Sequence, residues 1–433
     1  MTQPPSLTLA LLQQAVDGSF AAIRSITRLE PAGGSGDKVF PPTYLKERGA
    51  QTKYAMEERM VEGRRIQTVL LDSVASQANR MEEALLDGLR RKELAFPVVA
   101  VDFTQVQGLG DLDRITSLSA PHRIADALLR DSLAADGTPF RQTKAGKEFT
   151  DARPNHATGM YKHCPTALVF GCWDSTGPKG GLGSKFQRSL VSEIVGYDVV
   201  AGVKTASRID PAAIEKGAGP VFESKADKND WTTIESEAAL EKGKLKLFSR
   251  KGTDSKGDKE KGTPAGINHG NIPPSIDATA GGVTMSHAIQ TTVLSLAGLR
   301  RLRFQTKVDG SRIADADRDA AELAARTALA ALALAAIVYQ RENDFDLRSR
   351  SLLVAKNPLV FELVGRNGEP PTEVTLDRAA AAKLLAAASA AAQAKELGWA
   401  GEAITLTPAP KLSKLIQVSR ERAAAGEGEE AES

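Results

Sequence analysis

The residues with the most evident chemistry lie in one run, Gly177-Pro178-Lys179-Gly180-Gly181-Leu182-Gly183-Ser184-Lys185-Phe186-Gln187-Arg188. Glycines let a backbone approach a phosphate closely, and Lys179, Lys185 and Arg188 add positive charge. Read as a loop between a strand (165–172) and a short helix ending near Val195, the run also aims free helix amides at an anion. The nucleotide-binding versions of such a loop fail at named positions. A Walker loop needs glycine directly before its lysine, where this chain has Ser184, and the dinucleotide fingerprint needs glycine where Phe186 stands. What remains suits a polynucleotide backbone, with a plain tight turn as the alternative.

Further groups extend the same reading. Gln77, Asn79 and Arg80 open a predicted helix behind Asp72-Ser73, and His122 and Arg123 open another. Amides and guanidinium groups at helix starts hydrogen-bond phosphate, sugar or base edges, or simply cap the helix. Arg300, Arg301 and Arg303 follow a strand-like run, and Arg348 and Arg350 alternate in LRSRS. Each alternating pair is expected on one face of a strand, as a basic surface or as charge guarding an edge. Signals for an enzyme are thinner. His156 and His163, with Cys164, lack a second His/Cys pair at zinc spacing, and no nucleophile elbow is present, so neither metal nor catalytic residue is assigned. Asp174 is the candidate in the alternative of a metal-dependent nuclease, although an Asp before a turn is commonly a turn cap. Aromatic residues make up only 5 %, leaving Trp173, Tyr161 and Phe186 as the stacking candidates near the loop.

Formal charge is +2 over 433 residues, so a nucleic-acid surface has to come from local clustering. Residues 141–188 hold eight basic against three acidic side chains, and residues 300–312 five against one. Hydrophobic residues at 42 % and charged residues at 25 % describe a globular chain rather than a disordered or fibrous one. Two cysteines, read as the ends of an extended segment, lie beyond disulfide reach, and a reducing cytoplasm is expected. The longest apolar run, Ala328 to Tyr339, is shorter than the roughly 20 residues of a membrane span, so no membrane partner is expected.

The elements that position these residues read as strands alternating with helices, an α/β or α+β class, with α+β the one expected. A helix over 7–22 leads into the strand AAIRSITRLE. A hairpin then turns at Glu62-Gly63, followed by the helix QANRMEEALLDGLRRK and the strand FPVVAVDF. That strand, helix, strand order over 64–103 is half of a ferredoxin-like or RRM-like unit. Helices are predicted over 121–135, 314–338 and 378–395, and strands in GVTMSHAIQTTVLSL, DLRSRSLLVAK and LVFELVG. Residues 249–266 read as a mobile insertion.

The strings VLLDSVASQANRMEEALL, HRIADALLRDS, PTALVFGCWDSTGPKGGLGSKFQRSLVSEIVGYDV and GGVTMSHAIQTTVLSLAGLRRLRF resemble the backbone subunit of type I-U (I-G) CRISPR effector complexes, of the RAMP superfamily. The resemblance covers roughly residues 20–365. It implies a modified RRM-like (ferredoxin-like) palm over residues 1–365, with large insertions forming fingers and thumb. A C-terminal Ala-rich helical extension (366–419) and a disordered acidic tail (420–433) would follow. The thumb is expected in the hairpin 52–71, with 200–265 as the competitor. By the same resemblance the chain is a non-catalytic subunit without cofactor that polymerises along CRISPR RNA and presents it to target DNA. Its partners would be further copies of itself, a fused processing and handle-binding subunit, a large subunit and a recruited helicase-nuclease. RNA contact is carried onto Gln77, Asn79, Arg80, Lys179, Gly180, Gly181, Lys185 and Arg188, and onto His122, Arg123, Arg301 and Arg348. Two departures stand out: the glycine segment is mid-chain, and the Asp that cuts target RNA in type III relatives has only Asp174 and Asp72 as candidates here.

Overall fold

Strict alternation in FAAIRSITRLEP makes the strand on which the main sheet is built. Ile23, Ser25, Thr27 and Leu29 face inward, while Arg24, Ile26 and Arg28 face the other way, as period-two geometry requires. The computed structural model describes residues 4–45, 49–176, 183–215, 217–249, 261–399 and 403–424. They fall into two units, Met1–Ala201 with Gly282–Leu412, and Gly202–Gly281 with Ser413–Ser433.

In the first unit the main sheet holds β1 (Phe20–Pro31), β2 (Met56–Val61), β3 (Arg64–Asp72), β4 (Leu190–Tyr197), β5 (His287–Ser295), β6 (Phe345–Asp346), β7 (Leu352–Ala355), β8 (Phe361–Gly365) and β9 (Thr372–Val374). The order is β6-β7-β1-β5-β4-β3-β2, with β8 pairing β1 and β9. All of these pairings are antiparallel. β1 is long enough to serve two neighbours on one edge: Arg24 lies opposite Glu362 of β8, and Leu29 opposite Ala355 of β7.

Among the described residues, the long helices of this unit are α1 (Val74–Arg90), α2 (Asp315–Glu342) and α3 (Arg378–Gln393). Alanine-rich sequence favours the helices and lets them approach closely. α2 packs against both α1 and α3. At the α1 crossing, a Cβ on Gly88 would meet Tyr339 and Leu94 at 2.7 Å, so glycine is what admits the contact. By length and composition α2 is apolar enough to cross a membrane, but 89 % of its most apolar window is buried inside the protein, where it forms the core.

The sheet face beneath the helices is not uniformly apolar. Register aligns Ser25 with Thr292, Thr292 with Ser192, and Thr27 with Gln290, forming a buried polar band. Apart from the Ser25 hydroxyl, which is buried without a partner, its side chains are linked by hydrogen bonds. Gln290 Nε2 donates to Gln77 Oε1 (2.8 Å) and Gln340 Oε1 (3.0 Å), and Ser192 Oγ donates to Gln77 Oε1 (3.0 Å). Gln77 Nε2 then donates to Asp72 Oδ2 at 2.6 Å. The Asp72 side chain is fully buried and also accepts from Ser76 Oγ (2.7 Å), Arg80 Nε (3.0 Å) and Arg348 Nη2 (3.4 Å). Buried polar groups are tolerated when satisfied in this way.

Several sequence expectations change here. FPVVAVDF yields a strand, Val99–Asp102, but not a neighbour of β3. It pairs in parallel with Ile404–Pro408 in a separate four-stranded sheet, which weaves the C-terminal segment into this unit. The predicted helix over 121–135 is reduced to two short turns, Arg123–Ala125 and Ala127–Arg130. The apolar run PTALVFG is a buried helical turn, Thr166–Phe170, rather than a strand, and the segment predicted as a helix ending near Val195 is β4. Arg348 and Arg350 lie in the turn between β6 and β7, and Arg301 and Arg303 follow the helical turn Leu296–Leu299, so neither pair decorates a strand. The hairpin 56–72 is the edge of the main sheet.

The second unit is built on the ribbon Lys204–Arg208 with Ile272–Asp277. Two small hairpins sit around Val221, Phe222, Ala238 and Phe248. Much of the expected mobile insertion (250–260) and the end of the acidic tail (425–433) lie outside the described residues.

Removing the carboxylate of Asp72 takes the shared acceptor from Ser76, Arg80, Arg348 and the Gln77 amide. Asp72→Ala is therefore expected to lose about 3 kcal/mol in urea unfolding, whereas Ser76→Ala, deleting one donor, loses about 1 kcal/mol.

Candidate nucleic-acid interface

The glycine-rich run joins the two arms of a small hairpin. Cys172–Trp173 pairs antiparallel with Lys185–Phe186, setting Trp173 directly opposite Lys185. The Lys185 ammonium lies 5.0 Å from the centre of the Trp173 ring, a cation–π contact. Gly171 enters the hairpin at φ +84°, and a Cβ there would sit 2.9 Å from Cγ of Arg188. Only glycine accommodates both the turn and the arginine stem.

Behind the hairpin is a buried ion pair. Arg123 Nε and Nη2 donate to Glu82 Oε1 and Oε2 of α1 at 2.6 and 2.8 Å, and Arg123 Nη1 donates to the Gly171 carbonyl at 3.2 Å. The guanidinium also lies over the Phe170 ring, 5.6 Å from its centre. One side chain thus ties α1, the 121–126 turn and the base of the hairpin together. Burial pushes the Glu82 carboxyl up to about 7, despite the opposing pull of Arg123. Burial and the neighbouring Arg123 lower the pKa of Arg188, which remains cationic at neutral pH.

In front of this pair opens a cleft of about 860 Å³, lined by His122, Arg123, Trp173, Lys185, Arg188 and Arg301 among others. Among the described residues, no carboxylate lines it. His122, Lys185 and Arg301 are exposed and Arg188 is half-buried, and Arg301 Nη1 is steadied by Gln187 Oε1 at 3.1 Å. A second cleft, of about 530 Å³, has four lysines (Lys144, Lys147, Lys162, Lys307) but also Glu148 and Asp151. Lys307 there is paired with Glu396 at 2.6 Å. The first cleft is therefore the one whose charge is uncompensated, and the one suited to a polyanion.

The sequence candidates divide accordingly. Lys185, Arg188, His122 and Arg301 converge on the cleft. Arg123 lines it as well, yet is spent on Glu82. Gln77 is fully buried, and Arg80 and Arg348 turn inward onto Asp72, so these three serve the sheet–helix interior. Asn79 is exposed, one turn along α1 from the cleft-lining Ala75. Lys179, Gly180 and Gly181 lie outside the described residues. Of the stacking candidates, Tyr161 and Phe186 are buried, and Trp173 is 55 % exposed. Asp174, the nuclease candidate, is buried in a bidentate pair with Arg141 at 2.6 and 2.7 Å. No cluster of three or more metal-ligating side chains occurs among the described residues. Sequence reasoning missed Gln187 as the residue that orients Arg301. The two are far apart in the chain, and no local signal links them.

Residues 23–201 match the family described as CRISPR-associated protein GSU0053, and the match shows a CRISPR-associated protein. No curated protein matches the chain. The matched segment carries β1 to β4, α1, the Glu82–Arg123 pair and the Trp173–Lys185 hairpin. Arg301 comes from beyond it.

A carboxyl whose pKa rises on folding binds more protons folded than unfolded. The Glu82 contribution therefore makes stability fall as pH rises from its ordinary 4.5 to about 7. Urea unfolding across this window should show that slope, at most about 1.4 kcal/mol per pH unit, and Glu82→Gln should flatten it.

Proposed function

We propose that the chain is a non-catalytic, RNA-binding backbone subunit of a CRISPR effector complex of type I-U/I-G, holding guide RNA by its phosphates in the cleft before Arg123. The observation that carries this reading is the convergence of His122, Lys185, Arg188 and Arg301 on one cleft that, among the described residues, no carboxylate lines. Phosphate contacts of this kind fix a strand without reading its sequence, which leaves the bases to pair with target DNA.

The sheet supports the RRM-like palm. β1 precedes α1 and β4, and β5 precedes α2 and β8. The central order runs from β8 through β1 and β5 to β4, the arrangement of a split βαβ pair, with the β2–β3 hairpin added at the far edge. In this reading copies of the chain line up along the guide in the cytoplasm. The processing, large and helicase-nuclease partners belong to the surrounding complex. Asp174, committed to Arg141, acts as a structural carboxylate, and bound RNA is left uncut.

The test is RNA retention and its salt dependence in the full chain purified from cells expressing a CRISPR array. The wild type is expected to carry RNA. Lys185→Ala/Arg188→Ala/Arg301→Ala should fold normally by circular dichroism yet lower the slope of log affinity against log salt by about 2, near 0.7 per lost phosphate contact. Unchanged slope and affinity, or cleavage of complementary RNA that Asp174→Ala abolishes, would overturn the proposal.

A further inference from the structure

We infer that the same cleft takes one unstacked nucleobase onto the Trp173 ring, so that the site grips a nucleotide by base and phosphate together. The inference rests on the RNA-binding reading and adds a second kind of contact to it. A site that met only phosphates would be polar throughout. This one is walled by Pro121, Trp173, Phe186 and Leu302, with the cations Lys185, Arg188 and Arg301 beside them. Its volume of about 860 Å³ lies within the range of pockets that enclose small organic ligands.

Trp173 itself is placed for stacking rather than for packing. It is 55 % exposed, whereas Trp399 packs against the rings of Phe96 and Tyr161. Its position is fixed by cross-strand pairing with Lys185, whose ammonium sits 5.0 Å from the ring centre. That cation leaves much of the ring open while holding its plane. A base lying on the open surface would bring its own phosphate toward Lys185 and Arg188, which explains why the aromatic and the cations share one hairpin. Stacking of this type accepts any base, because every base has a π-face, and so is compatible with a guide of arbitrary sequence.

The test measures the affinity of the full chain for a short oligouridylate and for an abasic ribose-phosphate oligomer of equal length, at several salt concentrations. Trp173→Ala should weaken oligouridylate binding roughly 5- to 150-fold, the loss of one stacked base. The salt slope should stay unchanged, because no phosphate contact is removed. Trp173→Phe should recover most of the affinity. The abasic oligomer should bind the wild type more weakly than oligouridylate does, and Trp173→Ala should no longer distinguish the two. If Trp173→Ala binds oligouridylate as the wild type does while Lys185→Ala/Arg188→Ala/Arg301→Ala lowers the slope, the stacking inference fails and the phosphate reading stands. If the triple variant also leaves the slope unaltered, both fail.

Discussion

The cleft depends on one buried contact, the guanidinium of Arg123 on the carboxylate of Glu82. A charge this enclosed is stable only when its partner is close and its remaining hydrogen bonds are filled. Arg123 meets both conditions, because Nη1, the nitrogen that does not face Glu82, donates to the Gly171 carbonyl. The consequence is mechanical. Helix α1, the 121–126 turn and the start of the Trp173–Lys185 hairpin are held against each other, so side chains distant in sequence open onto one space.

The same contact governs the electrostatics. Glu82 is paired behind the cleft, and among the described residues no acid lines the cleft beside Lys185, Arg188 and Arg301. Arg188 is further crowded by Arg123, and an approaching phosphate would relieve that repulsion. The lysine cleft at Lys144 and Lys162 shows the contrast: basic side chains are just as numerous there, but Glu148 draws Lys144 and Lys162 into ion pairs and is hydrogen-bonded to His163. Counting basic residues along the chain does not separate these cases. The position of the acids does.

Much of the framework was legible in the sequence because its periodicity is strong. β1 and β5 alternate cleanly, and the alanine-rich stretches become α2 and α3. Failures cluster where periodicity is silent. The run PTALVFG is too short for an apolar pattern to distinguish strand from buried helical turn. The β-branched residues of SLVSEIV outweighed a helix suggested by the preceding glycines. Among the site candidates, Lys185 and Arg188 were identifiable because they flank a glycine-rich turn. Gln77, Arg80, Arg123 and Arg348 carry the same chemical promise but are claimed by Asp72 and Glu82, pairings that exist only once the sheet and α1 are assembled. The helix N-terminus expected behind the glycine run is replaced by a hairpin arm, so what the described residues bring to the cleft is side-chain cations rather than helix amides.

The central claim, that guide RNA lies in the cleft before Arg123, is tested most directly by ultraviolet crosslinking of RNA bound to the full chain, with the attached residues located by mass spectrometry. Adducts are expected at Trp173, at Lys185 and within 121–123 and 187–189. Adducts confined to residues 202–281, with these segments unmodified, would contradict it.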